Sequence, residues 1–240
     1  MQDSTLRTHQ QISDLLISQG NPKIADHSQR FFKTGKGEYG ENDKFLGIRV
    51  PVLRNTATRL RDVSLTETKK LLKSPYHEVR LLALLMLVDR YTRGDSNERN
   101  RIFECYVSHT RYTNNWDLVD CSAHRIVGPH LQDRDRELLF RFARSESLWE
   151  RRIAIFSTLH FIKQNDFSDT LKLAEILLKD DQDLIHKVVG WMLREVGKKD
   201  KKLADKFLRR RYRDMPRTML RYAIEKHPEP QRQAYLKGLV

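Results

Sequence analysis

Apolar residues recur along most of this chain at spacings of three and four, and runs alternating apolar with polar residues are scarce. That pattern predicts helices nearly throughout and an all-α fold. Helix starts are signalled at Asn21 before Pro22, Ser64 with Glu67, Ser74 before Pro75, Asn114 with Asp117, Ser147 with Glu150, and Pro216. Each is a capping residue with its third-position partner, or a proline suited to a first turn. From Leu65 onward these signals cut the chain into pairs: 65–73 with 75–93, 96–112 with 116–127, 134–145 with 147–164, 168–179 with 182–198, and 200–213 with 216–226. The second helices start about 31 to 41 residues apart. A pair cannot bury its apolar face alone, so recurrence at this period predicts stacked neighbours, an α-solenoid of HEAT-like pairs with a concave face.

One segment departs from the helical pattern. Thr34 to Arg49, TGKGEYGENDKFLGIR, holds four of the ten glycines and charges of both signs. It reads as a loop of about 16 residues between two N-terminal helices and the first pair. Tyr39, Phe45, Leu46 and Ile48 give it apolar anchors, which favours an ordered loop packed on the body. No linker composition interrupts the rest, so a single domain over 1–240 is expected.

Charge narrows the choice of partner. The 240 residues carry 45 Lys plus Arg against 32 Asp plus Glu, a net charge of +13, with a hydrophobic fraction of 39% that suffices for a core. Between Lys198 and Arg221 eleven basic residues face three aspartates. A run of this kind is often only a solvated helix face. Here Phe207, Tyr212 and Tyr222 interleave the cations, and the RRRYR core at Arg209, Arg210 and Arg211 suits phosphate forks. Arg80, Arg152 and Lys187 fall near equivalent positions of three second helices, which predicts one basic surface for a nucleic-acid backbone. Two cysteines, Cys105 and Cys121, exclude a disulfide framework and point to a reducing, cytoplasmic setting. The polar stretch Met1 to Gly20 has no apolar h-region, and nothing approaches the roughly 18 apolar residues of a membrane span, so neither secretion nor membrane insertion is expected.

The chain contains no GxxxxGK[ST], HExxH, GxSxG or strand-to-helix GxGxxG string, which removes the usual support for NTPase, zinc-protease and hydrolase readings. Cys121 and His124 form a single pair, more often packing than ligation, so no metal is expected. Three tryptophans remain, each placed early in the second helix of a pair: Trp116 in NNWDLVD, Trp149 in SLWERRIAIF and Trp191 in KVVGWMLREVGK. Trp116 and Asp120 are i and i+4, one turn apart on one helix face, so an aromatic wall and a carboxylate point into the same space. Asp117 lies off that face and reads as the partner of an Asn114 cap. Asp120 has no cap to serve; its ordinary role is a salt bridge to Arg152.

TNNWDLVD, LWERRIAIF and KVVGWMLREVGKKD, in this order and separation, resemble the AlkD-like DNA alkylation-repair glycosylases, a HEAT-like-repeat family. GEYGENDKFLGIRVPVLR is similar to the loop and helix start near that family's N-terminus, and the likeness runs from about Phe31 to Glu195. It implies hydrolysis of the N-glycosidic bond of cationic alkylated purines, 3-methyladenine or 7-methylguanine, in double-stranded DNA, by a monomer without cofactor. The implied site residues fall on Trp116, Asp120 and Trp191, with Arg152 holding a backbone phosphate. Because some relatives with this fold lack the activity, a non-catalytic HEAT-like protein that recognises distorted or branched DNA is the alternative.

Overall fold

A computed structural model describes residues 6–240; Met1 to Thr5, part of the polar N-terminal stretch, lie outside the described residues. The chain is all-α. Its helices are α1 His9–Ser18, α2 Pro22–Phe31, α3 Val50–Arg59, α4 Leu65–Leu71, α5 His77–Arg93, α6 Ser96–Val107, α7 Trp116–His130, α8 Glu137–Ala143, α9 Leu148–Ser157, α10 Leu159–Lys163, α11 Ser168–Ile176, α12 Asp183–Lys199, α13 Lys201–Arg211, α14 Arg217–Ala223 and α15 Glu229–Lys237, with a 3₁₀ turn at Thr110–Tyr112. Among the described residues there is no sheet, only an isolated bridge between Lys44 and Tyr76. No described helix is long and apolar enough to cross a membrane.

The chain divides into two compact units, 1–122 and 123–240, with the boundary inside α7. Each is organised on one 17-residue helix. In the first unit α5 is buried from His77 through Val88, and α3, α4 and α6 pack on it. A helix apolar on nearly every face has to sit inside its own layer of helices. In the second unit α9, α10, α11, α13 and α14 all pack on α12. Helix-pair packing of the HEAT-like kind is present in α4 with α5, α8 with α9, and α11 with α12.

Local signals placed several starts as expected. Asn21 Oδ1 accepts the Ile24 N–H, Ser64 Oγ that of Glu67, and Ser147 Oγ that of Glu150. Other boundaries differ for identifiable reasons. α5 starts at His77, two residues after Pro75, because the His77 N–H is drawn to the Lys44 carbonyl at 2.8 Å. The helix expected over 147–164 breaks at Thr158, where Ser157 and Thr158 hydroxyls donate to the Ile153 and Ile155 carbonyls and compete with the helix ladder. Pro216 stands immediately before α14 rather than inside its first turn.

Candidate functional site

α7 opens the site in the first unit. Its start is set by Asn115, which is fully buried, accepts the Trp116 N–H on its side chain at 2.8 Å, and offers its carbonyl to Val119. The expected Asn114–Asp117 box is therefore corrected: Asn114 Oδ1 accepts from Arg80 at 3.0 Å, and Asp117 faces His77. Trp116 is partly exposed, stacked on Phe32 with centroids 5.3 Å apart and edge-on to Phe31 at 6.0 Å. One turn later Asp120 is also partly exposed, while Leu118 and Val119 between them are fully buried. The helix thus turns a tryptophan and a carboxylate away from its core face.

What holds this end of α7 comes from far along the chain. The His77 imidazole lies between Asp43 at 3.0 Å and Asp117 at 2.8 Å, with 2% of its side chain exposed. Burial pulls its pKa down, but the Asp117 charge and hydrogen bond, together with those of Asp43, outweigh that and raise it to about 9. His77 is therefore an imidazolium at neutral pH, donating to both carboxylates. Asp43 shows the opposite balance: burial raises its pKa, but His77 and Arg80 hold it below the ordinary carboxylate value. Phe45 stacks on His77 at 4.4 Å and on Phe32 at 5.0 Å, so a ring stack runs from the imidazolium to Trp116.

Sequence reasoning left the role of the 34–49 loop open. It is clasped by the buried carboxylate of Glu78, which accepts the N–H groups of Leu46 and Gly47 at 2.8 Å and of Ile48 at 3.3 Å. Gly47 has φ +80°, and a Cβ there would come within 2.2 Å of the Asn21 carbonyl oxygen, so only glycine allows this approach. The usable signal for the clasp was the polar triplet His77, Glu78 and Arg80 opening a helix that continues as the unbroken apolar run Leu81 to Val88. Beside it lies an open cleft of about 650 Å³, lined by Lys23, His27, Phe32, Arg49, His77 and Asp117 among others.

Arg80 belongs to this clasp. It is 4% exposed and donates to Asp43 at 2.6 Å, to the Ser74 carbonyl at 2.9 Å and to Asn114. The expectation of an open, phosphate-facing position is corrected, because burial needs those donors satisfied inside the unit.

In the second unit Arg152 is 5% exposed and donates to the Leu184 carbonyl at 2.7 Å. Trp191 lies in the middle of α12 rather than near its start. Its indole N–H donates to Glu195 at 3.0 Å and its ring meets Phe156 edge-on at 5.3 Å. Gly190 before it lets α14 approach: a Cβ there would fall 2.4 Å from the Met219 carbonyl oxygen. Lys187 bridges Asp183 at 2.7 Å and is 41% exposed. In the basic run Arg209 and Arg210 are exposed, whereas Arg211 is tied to Glu175 at 2.8 Å and Lys198 to Glu195 at 2.7 Å. Trp149 is the second residue of α9 and partly buried.

Stacked helix pairs with a surplus of cations define a helical-repeat protein with a basic surface of the DNA-binding kind. The chain belongs to the DNA alkylation repair enzyme family, whose model matches residues 12–227. The match takes in the whole basic run from Lys198 to Arg221, beyond the strings that suggested it. Among solved structures the chain is similar to one described as a predicted DNA alkylation repair enzyme from Enterococcus faecalis. Identity is 18%, covering 88% of this chain and 97% of that one, with a TM-score of 0.67, a likeness of fold. No curated protein matches the chain.

Proposed function

We propose that this protein is a monofunctional DNA glycosylase that hydrolyses the N-glycosidic bond of cationic alkylated purines in double-stranded DNA. The observation that carries the reading is the pairing of Trp116 and Asp120 one turn apart on α7, both reachable by solvent, in a chain of the DNA alkylation repair family. Alkylation at a ring nitrogen already makes the base a good leaving group, so the protein has to stabilise the sugar cation and place a water. In this account the C1′–N bond breaks with its electron pair on the base, which leaves neutral. The Asp120 carboxylate faces the oxocarbenium-like sugar, orients a water toward C1′ and accepts its proton. Trp116 meets the cationic nucleotide through its π face, worth roughly 0.5 to 2 kcal/mol, and Trp191 is assigned to the same role on the family resemblance. Arg152 supports the second wall and the phosphate beside it, and Lys187, Arg209, Arg210 and Arg211 bind backbone. No general acid is assigned, so neutral bases such as uracil and hypoxanthine should stay in place.

The test is release of free base from 7-methylguanine DNA under single turnover. Wild type should release it, and Asp120→Asn should be slower by roughly 10²- to 10³-fold with DNA affinity largely kept. Binding without release by wild type would move the protein to the non-catalytic class, and full activity in Asp120→Asn would remove this carboxylate from the site.

A further inference from the structure

A hollow that the proposed chemistry does not use lies in the second unit. α11 and α13 both pack on α12, and a groove of about 260 Å³ opens between them. Its floor is apolar: Leu203 and Phe207, one turn apart on α13, with Leu171 of α11 opposite. Phe207 is 8% exposed and the two leucines are half-buried, so the floor is recessed rather than raised. Sites for small molecules run from roughly 300 to 1,000 Å³, and this smaller, open groove suits one inserted side chain instead.

The rim is basic. Lys172, Lys206 and Arg210 line it, and all three are exposed. Lys206 and Arg210 form no ion pair among the described residues, and Lys172 reaches Asp169 only at 3.8 Å, a carboxylate that Arg136 already holds at 2.8 Å. The acid of the lining, Glu175, is turned to Arg211 at 2.8 Å. An apolar hollow ringed by unopposed cations is complementary to an apolar projection set between negative charges. Duplex DNA offers phosphates and sugars on its outside and keeps its bases stacked within, so it has nothing to place on a recessed floor. A second copy of this chain would bring a net charge of +13 to the same rim. An acidic protein segment supplies both halves of the match.

We propose that the groove between α11 and α13 docks an acidic segment of a partner protein. One large apolar side chain of the segment seats on Leu171, Leu203 and Phe207, and the carboxylates flanking it lie on Lys172 and Lys206. The apolar side chain supplies affinity by leaving water, and the carboxylates fix register and exclude neutral or basic segments. Arg210, assigned above to DNA backbone, stands on the same rim, so the test is carried by Lys172 and Lys206, which that reading does not use. The inference does not depend on the glycosylase chemistry.

The experiment uses the full chain and a fluorescein-labelled octapeptide of six aspartates around a central leucine and phenylalanine, read by anisotropy. Wild type should bind it saturably with a Kd below about 1 mM, and the methyl signals of Leu171 and Leu203 should shift on titration. The same peptide with serine at both central positions should bind about tenfold more weakly or worse, a control that leaves the protein unaltered. Lys172→Ala and Lys206→Ala should each weaken binding by about 2- to 5-fold. The double variant Lys172→Glu with Lys206→Glu should lose the aspartate peptide and gain its lysine counterpart, an exchange that mere damage to the fold would not produce. No saturable binding by wild type, or equal binding of the serine peptide, overturns the proposal. So does binding that the lysine variants leave unchanged. If Lys172→Ala and Lys206→Ala instead each lower the salt slope of duplex binding by about one unit, the rim belongs to DNA and the proposal falls. Dimerisation of the protein through this groove, with its methyl signals moving on dilution, overturns it too. Lys172 and Lys206 are exposed, so the variants should fold, and circular dichroism checks that.

Discussion

Trp116 and Trp191 serve the same proposed role, yet they are held in opposite ways. Trp191 is positioned by its own helix and one neighbour: Glu195, a turn further along α12, takes its N–H, and Phe156 of α9 meets its edge. Trp116 is positioned by residues far away in sequence, through Phe32, Phe45 and the His77 imidazolium, whose partner Asp117 is 40 residues distant. A side chain held locally is robust to what happens elsewhere. One held through a loop takes on the stability of every contact that docks the loop.

The largest expected effect follows from that dependence. Glu78→Ala should cost the first unit about 4 kcal/mol or more, since three buried N–H groups lose their acceptor. Urea unfolding reads the loss, and a red shift of tryptophan emission before global unfolding would show Trp116 freed with the loop. A change confined to stability, with Trp116 unmoved, would break the link between clasp and tryptophan.

pH gives the next effect. His77 has a folded pKa of about 9 against 6.5 unfolded, so its contribution is fully present below about 6.5 and is lost as pH rises through about 9. The groups facing it are Asp43 and Asp117, with Arg80 beyond Asp43. The loss should be on the order of 3 kcal/mol between pH 6 and 10, and His77→Gln should flatten the profile. A wild-type profile as flat as the variant's would show that the imidazole is neutral in the fold.

Glu195→Gln sharpens the comparison from the other side. An amide can still accept the Trp191 N–H, so the cost should be about 0.5 kcal/mol and excision should fall by no more than a few-fold. A loss as large as that of Glu78→Ala would mean that Trp191, too, is held by a wider network. Smallest of all, Arg210→Ala should leave stability within about 0.5 kcal/mol and lower the salt slope of DNA binding by about one unit. An unchanged slope would return that arginine to ordinary solvation.

The same contrast explains what could be read from the sequence. The caps at Asn21, Ser64 and Ser147 were legible because donor and acceptor lie three residues apart. The helix pairs were legible because each buries a stripe with a short period. Asp117 was misread for the converse reason. Its spacing from Asn114 imitates a capping box, and nothing local announces that His77 competes for the carboxylate. Arg80 was misplaced likewise, since position on a helix says which way a side chain leaves but not what waits there. The helices α3 and α15 start at Val50–Pro51 and Glu229–Pro230, where proline near the start looks, in sequence, much like a break.

Glu78 also makes the loop a natural reporter of folding order. Its three acceptor bonds join residues 30 to 32 positions apart, so they form only after α5 has been brought to the loop, and chain closure over that span is slow compared with helix growth. The amides of Leu46, Gly47 and Ile48 therefore share one gate. Their hydrogen exchange with heavy water should proceed at a common opening free energy, whereas amides within α5 exchange on their own schedule, and three neighbouring protons thus read the state of one distant carboxylate.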